Sequence, residues 1–146
     1  MTLRVFLDTS ALLAGLASPK GASNMILALA EAGVIGLVIS EQVLAEAERN
    51  LLEKLPRAIP EYRRFLRSCP LEKVAAPSLG DVSAAREIIQ AKDAPILAAA
   101  ISAQVSYLVT LDREHFIDDP GVARESGLLI GTPGEFLTWM RSQLER

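Results

Sequence analysis

Cysteine and histidine are nearly absent: Cys69 and His115 are the only ones among 146 residues. A lone thiol excludes an internal disulfide, and one thiol plus one imidazole cannot supply a multi-cysteine zinc shell. Long apolar runs are missing as well. The longest, around Ile96 to Ile101, is far short of the ~20 residues that a bilayer span requires. The opening segment has the outline of a secretory leader, with Arg4 near its start and Ala14-Gly15-Leu16-Ala17 behind, but Asp8 interrupts its apolar stretch. A cytoplasmic location is therefore the expectation. Internal repeats, linkers and low-complexity segments are lacking too. Half of the residues are hydrophobic and 23% are charged, which excludes disorder and fibrous repeats. A chain of this length suits one domain spanning residues 1–146.

The formal net charge of −3 speaks at first against a polyanionic partner. The average hides a basic stretch. Arg49, Lys54, Arg57, Arg63, Arg64 and Arg67 face only Glu53 and Glu61 between positions 49 and 67. Arg49, Lys54, Arg63, Arg64 and Arg67 are candidate phosphate contacts, which would make nucleic-acid affinity salt-dependent. An ordinary solvated helix face is the competing reading.

Hydrophobic patterning alternates between strand-length and helix-length segments. Leu3 to Leu7 reads as a buried strand ending at Asp8. A helical pattern opens at Gly21-Ala22-Ser23 and closes at Gly33, and Val34 to Ile39 gives a second strand. Ser40 suits an N-cap for a helix carrying Leu44, Ala47 and Leu51 on one face and ending near Pro56. Helices over Pro60 to Cys69 and Asp81 to Gln90 flank a weak third strand at Val74-Ala75. Asp93 before Ala94-Pro95 predicts another helix start, running to about Gln104. Ser106 to Val109 and Leu128 to Ile130 are the remaining strands, and Thr132-Pro133-Gly134-Glu135 carries the capping-box pair with proline in the first turn. The alternation predicts an α/β fold: a three-layer α/β/α sandwich around a central parallel sheet, Rossmann-like in outline.

In such sheets ligands bind beyond the carboxyl ends of the strands, where the strand order reverses. Asp8 ends the first strand and Asp112 follows the fourth, while Glu46 and Asp93 stand on the helices nearby. Carboxylates brought together repel, by about 4 kcal/mol per pair at ~4 Å and an effective dielectric of ~20. Either some of them protonate or a hard divalent cation neutralises them. Magnesium or manganese held by Asp8, Glu46, Asp93 and Asp112 favours phosphodiester hydrolysis, with Ser10 and Thr110 orienting a water or a ligand. Each residue also has a plain reading: Asp8 and Asp112 as turn residues, Asp93 as an N-cap contributing ~1 kcal/mol, Glu46 as a solvated helix residue, and Ser10 as a cap. His115 has the chemistry of a general base, but a lone histidine beside Phe116 is more often a surface or packing residue, and Phe136 and Trp139 suit core or dimer packing better than base stacking. Only the joint placement of the four acids favours a site.

Four segments carry a resemblance: Phe6-Leu7-Asp8-Thr9-Ser10, Val43-Leu44-Ala45-Glu46, Lys92-Asp93-Ala94-Pro95-Ile96-Leu97 and Tyr107-Leu108-Val109-Thr110-Leu111-Asp112-Arg113-Glu114-His115-Phe116. In this order they resemble the motifs of the PIN-domain family and, more loosely, the VapC-like toxins of toxin–antitoxin pairs. The resemblance implies a Mg2+- or Mn2+-dependent endoribonuclease with Asp8, Glu46, Asp93 and Asp112 around the metal. It also implies an RNA substrate, a homodimer and a protein antitoxin as partner. No role carries over onto Asp118 or Asp119.

Two other classes fit less well. A phosphoacceptor domain would have adjacent acids after the first strand and a lysine after a late one, but Thr9 follows Asp8 and no lysine follows the fourth strand. An aspartate-nucleophile phosphatase would have a second aspartate where Ser10 stands. The principal alternative is a catalytically inactive PIN-like domain that binds RNA or a protein.

Overall fold

The computed structural model describes residues 2–145, so Met1 and Arg146 at the ends of the expected unit lie outside the described residues. Five parallel strands form one sheet in the order β3-β2-β1-β4-β5. They are β1 (Arg4–Leu7), β2 (Gly36–Ser40), β3 (Leu71–Val74), β4 (Tyr107–Val109) and β5 (Ile130–Gly131). Eight α-helices connect and cover them among the described residues: α1 (Thr9–Ala17), α2 (Ala22–Glu31), α3 (Glu41–Lys54), α4 (Ile59–Ser68), α5 (Leu79–Ala85), α6 (Ala94–Ala103), α7 (Pro120–Ser126) and α8 (Pro133–Leu144).

From β1 the chain steps one way to β2 and β3, then crosses back over β1 to β4 and β5. Right-handed crossovers place the helices of these two directions on opposite faces, which gives the three layers. On one face α1 packs against α2 and α3, and α2 against α8; on the other, α5 packs against α6 and α6 against β2. Val5, Phe6 and Leu7 of the central strand are fully buried, as are Leu108 and Val109 beside them. A strand covered on both faces must be apolar throughout. The edge strand β3 departs from that expectation, since Glu72 and Lys73 are exposed, as befits an edge that must discourage pairing with another chain.

Several boundaries differ from the sequence reading. Helix α1 has no counterpart in it: Thr9-Ser-Ala-Leu-Leu-Ala-Gly-Leu-Ala is apolar almost all round, so no amphipathic period marks it as a helix. The helix expected over Asp81 to Gln90 stops at Ala85 and continues as turns. Gly36–Ser40, Leu71–Val74 and Ile130–Gly131 are each displaced by a few residues from the expected strands. The capping box at Thr132 and Glu135 is present in both directions, and Ser40 caps α3 by accepting from the Val43 N–H.

Candidate metal centre

The reversal of strand order falls between β1 and β4, and their register pairs Leu7 with Val109. The next residues, Asp8 and Thr110, therefore leave the sheet side by side, with the Asp8 N–H donating to the Val109 carbonyl at 3.1 Å. Asp8 is also the N-cap of α1. Its Oδ1 accepts from the Ala11 N–H at 2.9 Å and from the Ser10 hydroxyl at 2.8 Å, and its Oδ2 accepts from the buried Thr110 hydroxyl. Thr110 and Ser10 each do a second job: their oxygens accept the Asp112 N–H at 3.0 Å and the Leu111 N–H at 3.2 Å. The loop that carries Asp112 is thus tied to Asp8 through two hydroxyls. Burial pushes the Asp8 carboxyl above its ordinary range, the charge of Asp112 adds to this, and the three hydrogen bonds oppose it.

Glu46 reaches the same area from α3. Its Oε2 accepts from the Thr9 hydroxyl and its Oε1 from the Gln42 amide, both at 2.9 Å. Asn50 donates not to this carboxylate but to the Glu46 backbone carbonyl at 2.7 Å.

Asp93 stands at the start of α6, but its side chain makes no capping hydrogen bond. This corrects the capping role read from sequence. Its backbone is already helical, at φ −97° and ψ −11°, and Oδ2 is buried without any partner. Burial raises its pKa, with the charges of Asp112 and Glu46 adding to the effect while Lys92 and His115 oppose it. Asp112 differs. Burial acts upward on it as well, but two hydrogen bonds and the charge of His115 together hold it below the usual carboxylate range. An ionised Asp112 can only accept, so the His115 Nδ1 donates to its Oδ2 at 2.7 Å, while the His115 N–H donates to Oδ1 at 3.1 Å.

His115 corrects the sequence reading more sharply. It is not a solvated or packing residue: its side chain is 17% exposed, and Nδ1 lies 3.8 Å from the orphaned Oδ2 of Asp93. One ligand atom each from Asp93, Asp112 and His115 fall within 4.8 Å of one another. The only sequence signal was its position three residues after Asp112, one turn of the π-helical segment Arg113–Ile117. Thr9 and Gln42 carry little signal in the sequence, although Gln42 precedes Glu46 by four residues, the spacing at which helix side chains meet.

A divalent cation fits this donor set. A buried carboxylate oxygen without a partner is a costly feature that a bound ion would resolve, and the mutual repulsion of Asp93 with Asp112 and Glu46 favours the same remedy. Asp8 also senses the charge of Asp112. The tight group is nevertheless the Asp93, Asp112 and His115 trio, whereas the oxygens of Asp8 and Glu46 are already engaged by donors. Of the basic stretch, Arg64 is committed to Glu61 at 2.6 Å and Glu31 at 3.2 Å. Arg49, Lys54, Arg63 and Arg67 enter no ion pair among the described residues. Phe136 and Trp139 pack against Tyr107, each with ring centroids 5.1 Å from it, in keeping with a packing role.

An acidic cluster at the switch point of a parallel three-layer sheet defines a class of α/β proteins whose site lies beyond the carboxyl ends of the strands and offers oxygen ligands suited to a divalent cation. Within that class the chain belongs to the PIN domain family, whose model matches residues 4–114. The members of this family are nucleases. No curated protein sequence matches the chain. Among solved structures it is similar to VapBC2 from Rickettsia felis, crystallised bound to a DNA fragment from the promoter. That match has a TM-score of 0.66 and 19% identity, covering 89% of this chain and 98% of that one. PAE2754 from Pyrobaculum aerophilum is also similar, with a TM-score of 0.65 and 19% identity over 96% of this chain and 90% of that one. FitAcB from Neisseria gonorrhoeae follows, with a TM-score of 0.52 and 15% identity over 88% of this chain and 97% of that one. Likeness at these identities is likeness of fold. No helix among the described residues is long and apolar enough to cross a membrane.

Proposed function

We propose that this chain is a Mg2+- or Mn2+-dependent endoribonuclease working as one unit over residues 1–146. The observation that carries the reading is the half-buried Asp93 side chain, whose buried Oδ2 has no hydrogen-bond partner beside Asp112 and His115. Asp93 and Asp112 would hold the cation, with Asp8 and Glu46 completing its acidic surroundings. When bound, the cation supplies charge neutralisation at the phosphodiester and acidifies water to make a nucleophile at neutral pH.

The protein's own groups do the positioning. Thr110 and Ser10 fix Asp8 and, through the backbone N–H groups they accept, the loop bearing Asp112. His115 holds Asp112 ionised and oriented. Thr9 and Gln42 steady Glu46. The exposed Arg49, three residues after Glu46 on α3, would take an RNA phosphate, with Lys54, Arg63 and Arg67 as further contacts. The family resemblance and the likeness to VapBC2 support a toxin held by a protein antitoxin; a cytoplasmic homodimer is part of the same proposal.

The test is cleavage of a labelled RNA pool by purified, antitoxin-free protein with Mn2+ or Mg2+. EDTA and the Asp8→Asn variant should each abolish it. A folded wild type that binds RNA but cuts nothing under either metal would instead establish the inactive, binding-only PIN-like domain.

A further inference from the structure

His115 is shared between the acid cluster and a neighbouring cavity of about 260 Å3. The cavity walls come from two segments, 86–90 after α5 and 114–122 through the start of α7. Its apolar surface comes from the half-buried Ile88, over a floor closed by Ile89 and Val122, which are 8% and 2% exposed. Arg86, Glu87 and Glu114 bring exposed charged heads, and none of the three enters a salt bridge among the described residues. Asp119 is committed to its own loop, where Oδ1 accepts the Gly121 N–H at 2.8 Å.

This lining disfavours a phosphate, because two uncommitted carboxylates oppose a single guanidinium. It suits a neutral planar ring with polar edges lying on apolar side chains. Guanine is the nucleobase that matches both charge types. Its O6 and N7 acceptors take a guanidinium bidentately, and its adjacent N1–H and N2–H donors meet a carboxylate in a parallel pair. Adenine and cytosine set a donor beside an acceptor, and uracil sets one N–H between two carbonyls. Each would turn a lone pair toward a carboxylate. Single-stranded RNA presents such edges freely, since its bases can be splayed out of a stack.

We infer that this cavity is a guanine subsite, with Arg86 on the O6/N7 edge and the Glu87 and Glu114 pair on the N1/N2 edge. It holds the base of a nucleotide next to the phosphodiester cut at the acid cluster, and so rests on the nuclease reading of that cluster.

The test titrates full-length, metal-free protein with the 5′-monophosphates of guanosine, inosine, adenosine, cytidine and uridine, following the methyl resonances of Ile89 and Val122 and the His115 ring. All five carry the same phosphate, so differences report the base. Guanosine monophosphate should shift these signals, and inosine monophosphate, which lacks the N2 amino group, should need at least about fivefold more for the same response. A folded Glu87→Gln/Glu114→Gln double variant should respond equally to the two. Equal responses of the wild type to all five nucleotides overturn the subsite, as does stronger occupancy by free arginine than by the guanine nucleotide. A parallel RNA-cleavage assay separates the two claims. Cleavage without a guanine response removes the subsite and leaves the nuclease; a guanine response without cleavage removes the nuclease and upholds guanine recognition.

Discussion

Asp8 and Asp93 each sense the charge of Asp112 and are treated in opposite ways. Asp8 is more deeply buried, yet both of its oxygens are engaged, by two hydroxyls and one backbone N–H. Asp93 is less deeply placed, yet one of its oxygens has no partner at all. A buried polar group without a hydrogen bond costs ~1–3 kcal/mol, so the fold bears at Asp93 a penalty that it has eliminated at Asp8. Asp8 is held by the fold as well as by any ligand, whereas Asp93 is left for the ligand alone. That difference makes separate predictions for function and stability.

The largest effect on function that leaves stability intact is expected at Asp93. Replacement by Asn should lower RNA cleavage at least about a hundredfold, as expected when a metal ligand is removed, while leaving metal-free thermal stability equal to or above that of wild type. Measuring both on the same preparation breaks the comparison if stability falls together with activity. Thr110→Val should instead lower stability and activity together. It strips a donor from Asp8 and an acceptor from the Asp112 N–H inside a fully buried position, costing about 1–3 kcal/mol by chemical denaturation along with activity. His115→Gln should weaken metal affinity by about 10–100-fold, the range typical of partners that orient a ligand, with little change in the melting temperature.

A smaller effect concerns pH. The folded-state pKa of Asp8 is raised by burial, so the folded protein holds a proton there that the unfolded chain has already released. Its contribution to stability is therefore complete below the unfolded carboxylate pKa of ~3.9 and is lost as pH rises through the raised folded value. Metal-free Asp8→Asn should show a flatter stability profile across that window than wild type. A profile unchanged by the substitution would place the pH response elsewhere.

Much of the fold and part of the site are legible in the sequence, for identifiable reasons. The apolar runs of β1, β2 and β4 announce strands covered on both faces, and the Thr132 cap is local chemistry that survives folding unchanged. The positions of Asp8 and Asp112 follow from where strands end. Helix α1 is hidden because small and apolar residues occupy its half-exposed face as well as the buried face of Ala11, Leu12, Gly15 and Leu16, which erases the period that normally marks a helix. At Asp93 the sequence suggested a cap, since aspartate before Ala-Pro is a strong local preference. The side chain instead turns into the cluster, an outcome set by neighbours far apart in sequence. His115 was hidden for a similar reason, as a single imidazole has no pattern until the turn after Asp112 brings it to the carboxylates.

The most direct test of the account is a Mn2+ titration of metal-free wild type and Asp93→Asn, read by thermal unfolding. Binding to the folded state alone must raise the melting temperature with metal concentration. The account predicts a concentration-dependent rise for wild type that is lost or greatly weakened in Asp93→Asn. An equal rise in both proteins, or none in wild type, would contradict a metal centre built around the unpartnered Asp93 oxygen.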